Sequence, residues 1–138
     1  MPIPDTGQRA ARELYAAATN SRAAATSGTP RFEIAEDTAR NLAAACDRLF
    51  EDLRAAHTVG TALTDVRGFG ELTSGQALAR GFSAKGSEYL ESVASYQQTA
   101  LLLKAAYLAA GRQFDEADAA NRAAMALIRP DSGAVRGG

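Results

Sequence analysis

Between residues 35 and 63, apolar or small side chains return at alternating steps of four and three: Ala35, Ala39, Leu42, Cys46, Leu49, Leu53, Ala56, Gly60 and Leu63. That spacing puts them on one face of an α-helix, as in a seam packed in coiled-coil fashion. Phe50 and Val59 flank the seam, and Glu36 and Asp37 stand in its first turn, where negative charge suits the helix dipole. Residues 31–34 read as a short extended lead-in. A second run keeps the same rhythm for longer: Ala79, Phe82, Gly86, Tyr89, Val93, Tyr96, Ala100, Leu103, Tyr107, Ala110, Phe114, Ala117, Asn121, Ala124 and Ile128. No proline interrupts it before Pro130, so the pattern predicts one unusually long helix, with Thr73 or Ser74 as its N-cap. Gly81, Gly86 and Gly111 lie inside this run. Each costs about 1 kcal/mol relative to alanine, so each points to close approach of a neighbouring backbone, or at Gly111 to a kink.

Between the two runs, Arg67-Gly68-Phe69-Gly70 suits a tight reversal, since two glycines around one aromatic do not sustain a helix cheaply. The chain therefore reads as all-α: an antiparallel helical hairpin with a long second helix, plus a short N-terminal helix. The domain reading is an N-terminal extension over 1–31, a hairpin domain over 32–129 that turns near 67–73, and a disordered tail over 130–138. Asp5 and Gln8 suggest the start of the N-terminal helix, which runs from about Thr6 to Ala25 with Ala11, Leu14, Tyr15 and Ala18 on its apolar side. Thr26-Ser-Gly-Thr-Pro30 breaks it. Equal steps outward from the turn bring Ala35 opposite Leu103. The stretch from Tyr107 to Ile128 then projects past the first helix, and its apolar side (Leu108, Phe114, Met125, Ile128) needs cover from the N-terminal helix, a second copy or a different protein.

Composition narrows the function. The chain of 138 residues is 46% hydrophobic but only 7% aromatic, with no tryptophan. Alanine supplies much of the apolar content, and a core built from it is thin. A formal charge of -1 argues against nucleic acid as a partner. Charge is uneven: residues 32–66 hold seven carboxylates against three arginines, while Arg9, Arg12 and Arg22 make the N-terminal segment basic. Cys46 is the single cysteine and His57 the single histidine. They stand eleven residues apart on one helix, roughly 16 Å at 1.5 Å per residue, beyond the reach of a nucleophilic pair. The histidine and the acids show no metal-ligand spacing. No catalytic residue, metal site or cofactor site is read from the chain, so an enzyme is not expected. The first residues show no apolar core of a secretory signal, and no apolar run is long enough to span a bilayer.

The densest motif lies near the C-terminus: Phe114-Asp-Glu-Ala-Asp118-Ala-Ala-Asn121-Arg122-Ala-Ala-Met125, followed by Leu127 and Ile128. An aromatic residue precedes a carboxylate by one helical turn, and an apolar ending follows. With the glycine-aromatic-glycine turn Gly68-Phe69-Gly70, this stretch carries a resemblance to the type VII (ESX) secreted helical-hairpin proteins of actinobacteria, especially the EspC-like branch of the WXG-like superfamily. The likeness covers roughly residues 32–129. In that family the corresponding place holds a tyrosine, three residues and an acid, and acts as the export signal. Here Phe114 keeps the ring without the hydroxyl, Asn121 stands at an apolar position, and the turn lacks Trp-x-Gly. The resemblance implies a protein secreted by a route that needs no signal peptide, cytoplasmic before export. It implies helix-on-helix pairing, as a homodimer or as a heterodimer with a similar protein or a larger effector. It also implies docking onto a secretion ATPase or chaperone through Phe114 and Asp118, with Met125 and Ile128 as a second anchor. The alternative is a cytoplasmic targeting chaperone or adaptor for a larger secreted effector.

Overall fold

The computed structural model describes residues 6–20, 32–65 and 67–136, with side chains as far as residue 127. All secondary structure among these residues is helical: α1 (Gln8–Asn20), α2 (Glu36–Gly60), a 3-10 turn (Thr61–Thr64), α3 (Thr73–Ala110) and α4 (Phe114–Arg136). The chain is therefore all-α, with α3 as its spine. α1, α2, α4 and the 3-10 turn all pack against α3.

The single long helix of the sequence pattern is in fact two helices. α3 stops at Ala110, and the amides of Arg112 and Gln113 donate to the carbonyls of Ala109 and Leu108 at 2.9 and 2.8 Å. Those two bonds form a Schellman motif, which closes a helix through one left-handed residue. That residue is Arg112, at φ 66°, and not the neighbouring glycine. Gly111 has an ordinary φ of -88° and is small for another reason: a Cβ there would overlap the Cβ of Ala39 on α2. An unbroken four-three rhythm conceals the break because α4 resumes the same spacing on a new axis. At its far end α4 continues through Pro130 to Arg136, where the sequence places a stop and a disordered tail. Proline removes one hydrogen bond and crowds the preceding turn, which bends a helix more readily than it ends one.

The break also corrects the expected overhang. α2 runs antiparallel to α3 over nearly its whole length. The Ile34 amide donates to the Ala110 carbonyl at 3.0 Å, Asp47 pairs with Lys104 at 2.8 Å, and a Cβ at Gly60 would meet the Tyr89 ring. Ala35 thus lies by the end of α3 and not opposite Leu103. The equal-step count fails because the connecting loop doubles back over the first turns of α3, where a Cβ at Gly75 would strike the Phe69 carbonyl. Close approach accounts for Gly86, which faces the backbone of Leu63, but not for Gly81, where a Cβ would meet nothing. Neither Thr73 nor Ser74 caps α3. Leu72 holds the N-cap position in extended conformation without a side-chain bond, and its carbonyl accepts the amide of Gln76 at 2.9 Å.

α4 folds back along α3, and α1 lies against α3, with its Tyr15 near Asp118 of α4. Ala18, Ala43, Leu108, Ala109, Ala110 and Ala117 form one cluster, to which Tyr15, Phe32, Ile34 and Phe114 add partly buried side chains. Ala11, Leu102 and Ala124 form a second, with Leu101, Leu103 and Met125 around it. The apolar side predicted for α1 is the side it buries, but the helix starts at Gln8 and not at Thr6, because Gly7 has φ 98°. Gln8 accepts the Thr6 amide through Oε1 at 3.4 Å, and the Asp5 side of the expected capping box lies outside the described residues. Gln8 Nε2 donates to the Ser95 carbonyl at 3.1 Å and also contacts the Ser95 hydroxyl, while Thr99 donates to the Thr6 carbonyl at 2.9 Å. The acidic stretch 32–66 finds cations on the other helices and the α3–α4 turn: Glu33 with Arg112 and Asp47 with Lys104, each at 2.8 Å. Arg40 of α2 reaches Glu116 of α4 at 3.2 Å. Arg22 and Asp5 lie outside the described residues.

Replacing Arg112 by glycine should stabilise the fold, because a left-handed non-glycine residue costs about 1–2 kcal/mol against an exposed ion pair worth about 0–1 kcal/mol. Gly111→Ala should destabilise it by about 1–3 kcal/mol through overpacking against Ala39. Urea unfolding midpoints should move in opposite directions for these adjacent substitutions.

Candidate functional site

Packing divides α3 into two unlike halves. From Gln97 to Ala100 four consecutive residues are buried, and Leu102, Ala105, Ala106, Leu108, Ala109 and Ala110 follow. A helix buried over most of its circumference is one enclosed by neighbours, and here the neighbours are α1, α2 and α4. The N-terminal half lies against α2, the 3-10 turn and the loop, and its outer side is open. Val59, Leu63, Phe69, Leu72, Leu78, Phe82 and Tyr89 are all between 40% and 78% exposed at this end. Scattered exposed leucines are ordinary, but large apolar side chains gathered in one place mark an interaction surface.

Two adjoining grooves run through this arm. One, of about 430 Å³, is lined by Leu63, Phe69, Phe82, Lys85, Gly86 and Tyr89. The other, also about 430 Å³, is lined by Ala55, Ala56, Val59, Gly60, Leu63 and Tyr89. Leu63 and Tyr89 belong to both, so the surface is continuous. Gly60 and Gly86 let α2 and the 3-10 turn close onto α3 beneath it. Gly68 and Gly70, at φ 100° and 82°, have no atoms near a would-be Cβ. They are needed for the path of the loop alone, as the sequence leads one to expect. Their path lays the Phe69 ring flat on Phe82, with centroids 5.6 Å apart and planes 9° from parallel. Among the described residues, Lys85 is the one charged side chain lining the grooves, and Glu88 lies 3.7 Å from it.

The C-terminal motif is differently placed. Phe114 is the first residue of α4 and packs against the Leu108 cluster. Asp118, one turn on, is exposed and pairs with Arg122 at 2.9 Å. Met125 packs against the Leu102 cluster, and the Ile128 side chain lies outside the described residues. The ring and the carboxylate are neighbours along the helix, yet the ring serves the interior and the acid faces water. Asp118 also lies close enough to Tyr15 to act on its hydroxyl, which burial first and this carboxylate second hold above the usual phenol range, against the opposing charge of Arg122. Asp115 is exposed, and Glu116 is engaged by Arg40.

The sequence signal for this arm is Phe82 and Tyr89 at a seven-residue interval, which Tyr96 continues. Their spacing reads equally as core or interface packing, with the tyrosines at the edge of the seam. Among the described residues, no group of three or more histidine, cysteine, aspartate or glutamate side chains could hold a metal ion. No described helix is long and apolar enough to cross a membrane. No family model, curated protein or solved structure matches the chain.

Cys46 is buried in α2. Burial, and then the neighbouring Asp47 carboxylate, push its thiol up to about 11, against the lowering effect of Lys104. The folded protein therefore binds this proton more tightly than the unfolded chain. The resulting stability is complete below the ordinary thiol value of 9.0 and is lost as pH rises towards about 11. A thiol reagent at pH 8 should leave Cys46 unmodified until denaturant is added. The stability difference between wild type and Cys46→Ala should shrink or reverse over that same alkaline window in urea titrations.

Proposed function

We propose that this chain is a small helical protein of the type VII exported kind, either a substrate or a co-exported partner, that works by helix-on-helix docking. The observation that carries the reading is the apolar arm: large side chains lie outside while alanines fill the interior. Such an arrangement gives little to the fold and much to a partner. The positive-φ turn Gly68-Phe69-Gly70 and the all-helical architecture fit the same reading. In this proposal the arm holds the partner, and the exposed Asp118 supplies a charge read by the export machinery, a secretion ATPase or its chaperone. Phe114 and Met125 act by fixing α4 in place, since both pack inward. Helix-in-groove recognition works by such apolar anchors, with charge adding specificity.

Asp118 is the informative position, because Phe114→Ala would also weaken the interior. In a host carrying the secretion apparatus, Asp118→Ala should leave helicity unchanged by circular dichroism. Loss of one charge-assisted contact should lower the exported amount by roughly tenfold or more. Equal amounts of wild type and Asp118→Ala in the medium would overturn the role given to this residue. Absence of the wild-type chain from the medium would favour a retained targeting chaperone.

A further inference from the structure

We infer that α1 is a releasable strap. It lifts from α3 as a unit while α2, α3 and α4 stay folded, and the buried amide of Gln98 is the built-in weakness that lets it go. The device is independent of what the apolar arm binds.

α1 runs parallel to the C-terminal half of α3. Thr6 meets Ser95 and Thr99 at one end, Ala11 clusters with Leu102, and Ala18 clusters with Leu108 and Ala109 at the other. The apolar hold is thin. Only Ala11 and Ala18 of α1 are buried, with Leu14 and Tyr15 partly so. A helix of 13 residues is at the length where isolated helices are marginal in water. Arg9 stands in its first turn, where positive charge opposes the dipole. The ion pairs that cross between elements run from α2 and its lead-in to α3, α4 and the turn between them; among the described residues none reaches α1. Once lifted, α1 therefore melts, and its release is cooperative.

What docks α1 at its N-terminal end is polar. The hydroxyls of Thr6 and Ser95 share a hydrogen bond of 2.6 Å, Gln8 Nε2 donates to the Ser95 carbonyl at 3.1 Å, and Thr99 donates to the Thr6 carbonyl at 2.9 Å. Ser95, Gln98, Thr99 and Leu102 are spaced as one helix face, the face that α1 covers. Gln98 is only 8% exposed there. Its Oε1 lies 3.5 Å from Gln8 Nε2, at the outer limit of a hydrogen bond. Its Nε2 is buried with no partner among the described residues. Turning the amide over only exchanges which atom is stranded. An unmet buried group lowers the closing equilibrium by a factor of roughly ten to a hundred. Lifting α1 opens Gln98 to water, which satisfies both atoms. The penalty thus acts only while α1 is down, and it weakens the strap without weakening the bundle beneath.

Hydrogen exchange read by mass spectrometry on the full chain follows the release directly. Amides of residues 12–20 should exchange roughly a hundredfold or more faster than those of residues 101–110. Gln98→Met, which keeps the length and removes both polar atoms, should slow exchange in α1 roughly tenfold and leave 101–110 unchanged. Ser95→Ala, which removes the hydroxyl partner of Thr6, should speed exchange in α1 roughly fivefold. Equal rates in the two segments of the wild-type chain would overturn the strap, because the chain then opens as one unit; that result depends on no variant folding. A Gln98→Met chain in which α1 exchanges no more slowly, or in which both segments slow alike, would overturn the part given to Gln98. Ser95→Ala without effect on α1 would overturn the polar docking.

Discussion

The amides of Arg112 and Gln113 turn back onto the carbonyls of Ala109 and Leu108, and the rest of the architecture depends on that reversal. It ends α3 at Ala110 and sends α4 back along it. The C-terminal half of α3 thereby gains the neighbours that bury most of it. Without the reversal, Phe114 and Met125 would extend into solvent and Leu102 and Leu108, the largest fully buried side chains, would lose part of their cover. The motif uses an arginine in the left-handed region, where glycine would be more comfortable. The adjacent glycine is taken up by a different demand, the close passage of Ala39. Two steric requirements meet in consecutive residues, and each occupies one of them.

Gathering α1, α2 and α4 around one half of α3 leaves the other half with α2, the 3-10 turn and the loop. Residue size follows this division in an unusual sense. The buried positions are mostly alanine, which allows helices to lie close but contributes little apolar area per residue. Rings and large aliphatic side chains are concentrated where the bundle is thinnest. Ion pairs and hydrogen bonds such as Asp47–Lys104, Arg40–Glu116 and Gln8–Ser95 join the helices at the crowded end. The surface ion pairs among them add little stability, but all three contacts favour one register over its neighbours. Under the proposed function the asymmetry has a purpose: one end holds the chain together and the other is shaped to be covered.

The C-terminal motif illustrates how one helical turn can separate two roles. Phe114 and Asp118 are four residues apart, close enough to share a face in an isolated helix. Packed against α3, that face is divided between interior and rim. The ring falls on the inner side and the carboxylate on the outer, beside Arg122. A surface that looked like a single aromatic-acidic epitope becomes a buried support with an exposed charge.

Much of the local structure was legible in the residues themselves. The four-three spacing identified helices, because apolar residues one turn apart must share a face whatever they pack against. Gly68 and Gly70 identified the turn, because a positive φ is costly for other residues. The single Cys46 and the distant His57 already argued against nucleophilic chemistry. Spacing is blind to a change of axis, however: Gly111 suggested a kink, but the unbroken rhythm gave no sign that the chain reverses there through Arg112. Sequence also could not show that the loop folds over Gly75 and shifts the pairing of α2 with α3. That shift carries α2 to the end of α3 and moves the uncovered surface from the C-terminal helix to the turn. Periodicity determined which residues share a face; only the tertiary packing of α1, α2 and α4 around α3 decided which of those faces are covered, because burial is set by neighbours distant in the chain.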